Sequence, residues 1–275
     1  MSRYMTKPFL AFFLTILFLL PAPMQAATLH VPGDYRSIQE AVDAAAPSDA
    51  VVVKDGVYIE NVEIMKPLTL SSSNGPAAVL IQAERPDLPA IKVSGTSDVT
   101  IAGVSGTGSK AAGILVSGSS NVTVTGNVFT KNGTGIMLSG TSRSVVSWNE
   151  SSSNAQYGLY MEKSDENRVV SNSSTLNKDK GFFISYSNGN EISGNEVNLN
   201  TWDGIMVFSS NNNRITGNKT LRNTYGIVVS ESKGNELEEN TTLPNLFLIL
   251  PIVLIYLGIV SYLAQKNILK AVYKE

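Results

Sequence analysis

The residues of this 275-residue chain best placed to do chemistry stand just ahead of a recurring glycine. Gln156-Tyr157, Asp179-Lys180, Trp202-Asp203 and Thr224-Tyr225 precede Gly158, Gly181, Gly204 and Gly226. Aromatic faces beside carboxylates suit a sugar. Tyr157, Trp202 and Tyr225 would stack on its apolar face, and Asp179 and Asp203 would accept from its hydroxyls. The plainer reading is a row of exposed turn residues with Asp179 paired to its neighbour Lys180, because one strip without a facing wall makes a poor pocket. Acid–base cleavage of a polysaccharide needs carboxylates or His converging on one groove. The single His, His30, lies outside the repeats and reads as a surface residue. No catalytic residue is assigned, and an enzyme is the less expected outcome. With no Cys, no thiolate is present to bind a metal or attack a substrate. No metal site and no cofactor are expected.

A second strip points to recognition. Two residues after each repeat glycine come Leu115, Met137, Tyr160, Phe183, Met206 and Val228, and Phe208 extends the row sideways. On a strand these positions face outward, where polar residues belong, yet the row stays apolar over about 24 Å. An exposed apolar row of that length suggests a docking surface, unless long turns or polar stems cover it.

The elements that position both strips follow from the spacing. Gly113, Gly135, Gly158, Gly181, Gly204 and Gly226 recur at steps of 22 or 23 residues. One residue after each stand Ile114, Ile136, Leu159, Phe182, Ile205 and Ile227, and three after it Val116, Leu138, Met161, Ile184, Val207 and Val229. Eleven after it come Val124, Val146, Val169, Ile192, Ile215 and Leu237. Short alternating strands between Asn/Gly/Ser turns, repeated at this period, build one coil of a solenoid per repeat. The third side of the coil is less clearly patterned. Three Asn columns keep the same register: Asn127, Asn149, Asn172, Asn195, Asn218 and Asn240; Asn132, Asn154, Asn177, Asn200 and Asn223; and Asn167, Asn190, Asn213 and Asn235. They are expected at tight corners, where Asn tolerates left-handed backbone, with amides bonded from rung to rung. Six Asn-x-Ser/Thr sequons, at Asn121, Asn132, Asn149, Asn172, Asn218 and Asn240, arise from the same composition.

Upstream, Ile91, Val93, Ile101 and Gly103 fit one earlier coil, and Val51-Val53, Val62-Ile64 and Leu68-Leu70 read as irregular rungs. Ser37 and Glu40 form a capping box opening a short helix through about Ala46, with Ile38, Ala41, Val42 and Ala45 on one face. That helix would cover the bare first rung.

The fold class predicted is all-β: a right-handed single-stranded parallel β-helix (solenoid) with an N-terminal capping helix and a C-terminal transmembrane helix. Residues 1–26 read as a signal peptide, with Arg3 and Lys7 before an apolar stretch and cleavage after Ala26. Residues 27–50 form the cap, 51–243 the β-helix, 244–264 an uncharged stretch long enough to span a bilayer, and 265–275 a cytoplasmic tail carrying Lys266, Lys270 and Lys274. The chain is therefore expected to be exported, with its solenoid outside and anchored in the cytoplasmic membrane. Between the two apolar ends stand 16 Lys+Arg and 22 Asp+Glu. No basic stripe exists to displace counterions, which excludes nucleic acid as a partner.

The segment VPGDYRSIQEAVDAAAPSDAVVVKDGVYIENVEIMKPLTL, residues 31–70, resembles the start of periplasmic NosD-like β-helix proteins. Coils such as GIMVFSSNNNRITGNKTLRN, residues 204–223, resemble their parallel β-helix repeats, also found in carbohydrate-binding and sugar-hydrolase domains. The resemblance covers roughly residues 28–242. It implies an accessory scaffold of nitrous oxide reductase maturation, working with an ABC-type ATPase and permease through protein docking. Copper follows less well, because Met137 and Met206 share a row but stand about 14 Å apart. The competing expectations are a carbohydrate-binding or polysaccharide-modifying envelope module and a structural surface protein.

Overall fold

The computed structural model of the chain describes residues 26–272, leaving aside the side chains of 246–249, 252 and 267–272. The expected signal peptide, residues 1–26, lies almost wholly outside the described residues. Strands of three to six residues alternate with sharp corners, and each pairs in parallel with its counterpart one coil away. Three sheets result, of ten, nine and eight strands, and together they wrap one continuous core.

The register obeys the spacing of the sequence. Ile114, Ile136, Leu159, Phe182, Ile205 and Ile227 lie in one row of the eight-stranded sheet. Val124, Val146, Val169, Ile192, Ile215 and Leu237 lie in one row of the ten-stranded sheet. The third wall explains its weak signal. Its inward row holds Ile81, Gly106, Phe129, Ser151, Ser174 and Val197, a mixture of sizes and polarities. These residues are matched to the repeat glycines. A methyl group on Gly158 would stand 2.0 Å from Ser174 Oγ, and one on Gly181 would stand 2.0 Å from Val197 Cγ1. The glycines are therefore required by close approach, not by a turn.

The Asn columns are buried, and their role differs in one respect from the expectation. The left-handed residue is the one immediately before each Asn: Trp148, Ser171 and Glu239 before Asn149, Asn172 and Asn240, and Leu176 and Leu199 before Asn177 and Asn200. The corner residue turns outward and the Asn turns in beneath it. Asn172 shows the pattern: its Oδ1 accepts from the backbone N–H and Nδ2 of Asn149, both at 3.0 Å. Its Nδ2 donates to Val146 O at 2.8 Å and Asn195 Oδ1 at 3.1 Å. Amide stacking thus satisfies backbone groups that the corners leave without a ladder partner. A serine column does the same work and escaped the sequence reading. Thr141, Ser164 and Ser187 donate their backbone N–H groups to the hydroxyls of Ser164, Ser187 and Ser210. Of the six sequons, Asn132, Asn149, Asn172 and Asn218 are buried in these ladders, and Asn121 is exposed.

Helix α1 (Ile38–Ala44) has the expected capping box and buries Ile38, Ala41 and Val42. The strand Thr28–Val31 ahead of it already pairs with Ala50–Val53, so the solenoid takes in part of the segment assigned to the cap. Helix α2 (Leu246–Val272) follows the last strand, Thr241–Pro244, after the single residue Asn245. It covers the stretch expected to span a membrane. Among the described residues no helix is long and apolar enough to cross one.

Candidate functional site

The two strips identified in the sequence meet on one face. The outward row Leu115, Met137, Tyr160, Phe183, Met206 and Val228 is in register along the eight-stranded sheet, each side chain partly exposed. Upstream the same row becomes Lys92 and Glu63, an ion pair at 2.8 Å, so the apolar strip ends in charge. Phe208 sits two residues along from Met206, edge-on to Tyr186 with ring centroids 5.9 Å apart.

At the preceding corner Gln156, Asp179, Trp202 and Thr224 stack through backbone bonds from Asp179 N to Gln156 O, Trp202 N to Asp179 O and Thr224 N to Trp202 O. The row beside it holds Tyr157, Lys180, Asp203 and Tyr225, with Asp203 opposite Tyr225. Because the corner turns directly into the sheet, Tyr157 reaches the apolar strip. Its ring lies 5.4 Å from both Tyr160 and Phe183, and Tyr160 stacks on Phe183 at 5.2 Å with planes 10° apart. Sequence reasoning kept Tyr157 and Tyr160 in separate rows. Their three-residue separation across a corner is the signal that would have joined them.

Lys180, expected from the sequence only as the ion-pair partner of Asp179, is the hub of the patch. Its Nζ lies 5.8 Å from the Tyr157 ring centroid and 5.6 Å from that of Phe183. It donates to Asp179 at 2.9 Å and stands 3.9 Å from Asp203. Asp203 is only 8% exposed. Burial raises its carboxyl above the ordinary aspartate value, Lys180 opposes the shift and Asp179 adds to it. Burial also raises the Tyr157 hydroxyl, with the Asp179 carboxylate adding to the effect. Both carboxylates expected to accept from a sugar therefore face a lysine. Trp202 and Tyr225 are 51% and 55% exposed and keep open ring surface.

Among the described residues no cluster of three His, Cys, Asp or Glu could hold a metal ion. His30 is an exposed residue of the first strand, with its backbone N–H bonded to Asp34 at 2.8 Å.

Solved structures share this architecture. The chain aligns with the periplasmic alginate epimerase AlgG at a TM-score of 0.59 and 14% identity, over 78% of this chain and 55% of that one. It aligns with pectate lyase Pel9A at 0.58 and 17% identity, over 79% and 77%. Such low identity shows the fold alone, and the chain spans about half the length of AlgG. No curated protein matches it in sequence. The family described as "Periplasmic copper-binding protein (NosD)" matches residues 42–247. A β-helix with this cap, these repeats and that match over most of its length belongs to the NosD family.

Proposed function

We propose that this protein is an extracytoplasmic docking scaffold whose aromatic face engages a membrane-protein partner; in a NosD-type maturation system that partner would be an ABC-type permease. The observation carrying this reading is the Tyr157–Tyr160–Phe183 cluster gathered on Lys180. Half-buried tyrosines packed on one another and rimmed by charge resemble the energetic centre of a protein interface. Their mutual stacking also occupies ring faces that a sugar would need.

The copper of the family description finds no donor set here. Cu(I) selects thiolate and thioether and Cu(II) imidazole. The chain has no Cys and a single His, and Met137 and Met206 are three rungs apart with Tyr160 and Phe183 between them. A role in copper traffic would run through the partner.

Anchoring is the second part of the proposal. Its support is the sequence: residues 244–264 carry no charge, and Lys266, Lys270 and Lys274 follow. Extraction of native envelopes with alkaline carbonate tests it: the chain stays with the membrane, and release into the supernatant overturns the anchor. Photo-crosslinking from position 183 or 206 tests the docking face. The expected adduct is to an integral membrane protein and disappears with Tyr160→Glu. Absence of any adduct from either position overturns the scaffold reading.

A saccharide-binding reading is favoured by the exposure of Trp202 and Tyr225. Glycan binding lost on Trp202→Ala and kept on Tyr160→Glu would select it.

A further inference from the structure

Trp148 has no part in the site described above. Its side chain is 71% exposed, and its φ of 56° lies in the left-handed region, where a bulky residue is strained. The equivalent corners of neighbouring coils carry Gly126, Ser171, Gly194 and Gly217, residues suited to such a turn. Neither packing nor corner geometry accounts for an indole here.

The small neighbours leave open space beside the ring. A groove of about 400 Å³ is lined by Trp148, Ser171, Asn172, Ser173, Gly194 and Glu196. It runs along the solenoid axis from the coil of Trp148 to that of Gly194, two rungs or about 10 Å. Asn172 spends its amide on the buried ladder and supplies only floor. Ser171 and Ser173 make no side-chain hydrogen bond among the described residues, unlike Ser152 and Ser193, which donate to Glu150 and Glu191. The groove therefore offers one flat apolar face, two free hydroxyls and a carboxylate.

Its charge narrows the ligand. Glu150, Ser173 and Glu196 form one row, with a carboxylate one rung to either side of the serine. Lys219 lies beyond Glu196, at 3.5 Å from it. A polyuronate laid along this row would set its carboxylates against two others, whereas neutral hydroxyls would find acceptors.

We infer that the Trp148 groove binds a neutral oligosaccharide, stacked on the indole and hydrogen-bonded to Ser171, Ser173 and Glu196. Trp148 and Trp202 are the only tryptophans, so Trp202→Phe leaves Trp148 as the sole indole reporter. This variant of the full chain is titrated with cellohexaose, maltohexaose and chitohexaose, with oligogalacturonate as the acidic control. At least one neutral hexaose should give a saturable blue shift of Trp148 emission, and oligogalacturonate should bind about tenfold more weakly or not at all. Trp148→Gly suits the left-handed corner and should keep its melting temperature while losing affinity about tenfold or more by calorimetry. The proposal is overturned if no neutral hexaose shifts the emission, if oligogalacturonate binds as tightly, or if Trp148→Gly retains affinity. A response confined to Trp148→Phe, where Trp202 reports, would place the sugar on the other corner and overturn it equally.

Discussion

The first coil lies under α1, whose Ile38, Ala41 and Val42 are no more than 2% exposed, whereas the inward-row residues Val229 and Leu237 of the last coil are 37% and 46% exposed. The inward rows are continuous from one end to the other, so the difference is not one of pattern. A residue in a solenoid is buried by the coils on both sides of it, and the last coil has one on only one side. The closed end is also heavily tied. Ser37 caps α1, Glu60 accepts the backbone N–H groups of Ile38 and Gln39 at 3.0 and 2.9 Å, and Lys66 donates to the carbonyls of Asp43 and Ala45, each at 2.9 Å. Charges matching both ends of the helix hold it over the first rung. At the other end Glu231, Glu236, Glu238 and Glu239 stand against Lys233 alone. Such an acidic edge resists pairing with a second copy of itself.

Substitutions can break or sharpen this contrast. The largest effect is expected from the Asn ladder. Asn172→Ala strands the amide donors of Asn149 inside the solenoid and should cost about 4 kcal/mol, while Asn240→Ala, at the open end beside water, should cost about 1 kcal/mol. Urea unfolding of the two variants measures this, and equal losses would show that the ends are not energetically distinct. Next, Ile38→Ala should cost about 3 kcal/mol against less than about 1 kcal/mol for Leu237→Ala. Glu60→Ala should cost about 1–2 kcal/mol by freeing two helix N–H groups. It should also speed amide exchange in Thr28–Val53 without altering exchange in the last coil.

The smallest effects concern pH. The hydrogen bond from Arg168 holds the Glu191 carboxyl below its ordinary value, helped by Ser193. Its contribution is present above about pH 4.3, the ordinary glutamate value, and lost as pH falls through the lowered one. Glu191→Gln should therefore lower Tm slightly at pH 7 and leave it unchanged at pH 2. Asp203 is shifted upward by burial, so its ionisation costs stability as pH rises from about 3.9 through the raised value. Asp203→Asn should gain in Tm over the parent at pH 7 relative to pH 3.

The coil, its two apolar walls and the capping helix were legible in the sequence because each rests on a residue type recurring at fixed spacing. The third wall was not, since Phe129, Ser151, Ser174 and Val197 share a row without sharing a chemistry. The serine column was legible in principle: Ser164, Ser187, Ser210 and Ser232 stand six residues after successive repeat glycines. At the candidate site the members of both strips and the Asp179–Lys180 pair were named, but the union of the strips through Tyr157 and the approach of Lys180 to Asp203 were not.

The sequence by itself determined which residues share a row, because in a parallel stack register follows from the repeat length. Only the tertiary structure decided how rows on opposite sides of a corner meet, which carboxylate is buried against a lysine, and which coil end lies bare. Those depend on distances between chain segments that periodicity does not encode. Trp148 falls between the two: the sequence places it at a corner, and only the small residues stacked beside it make room for a ligand.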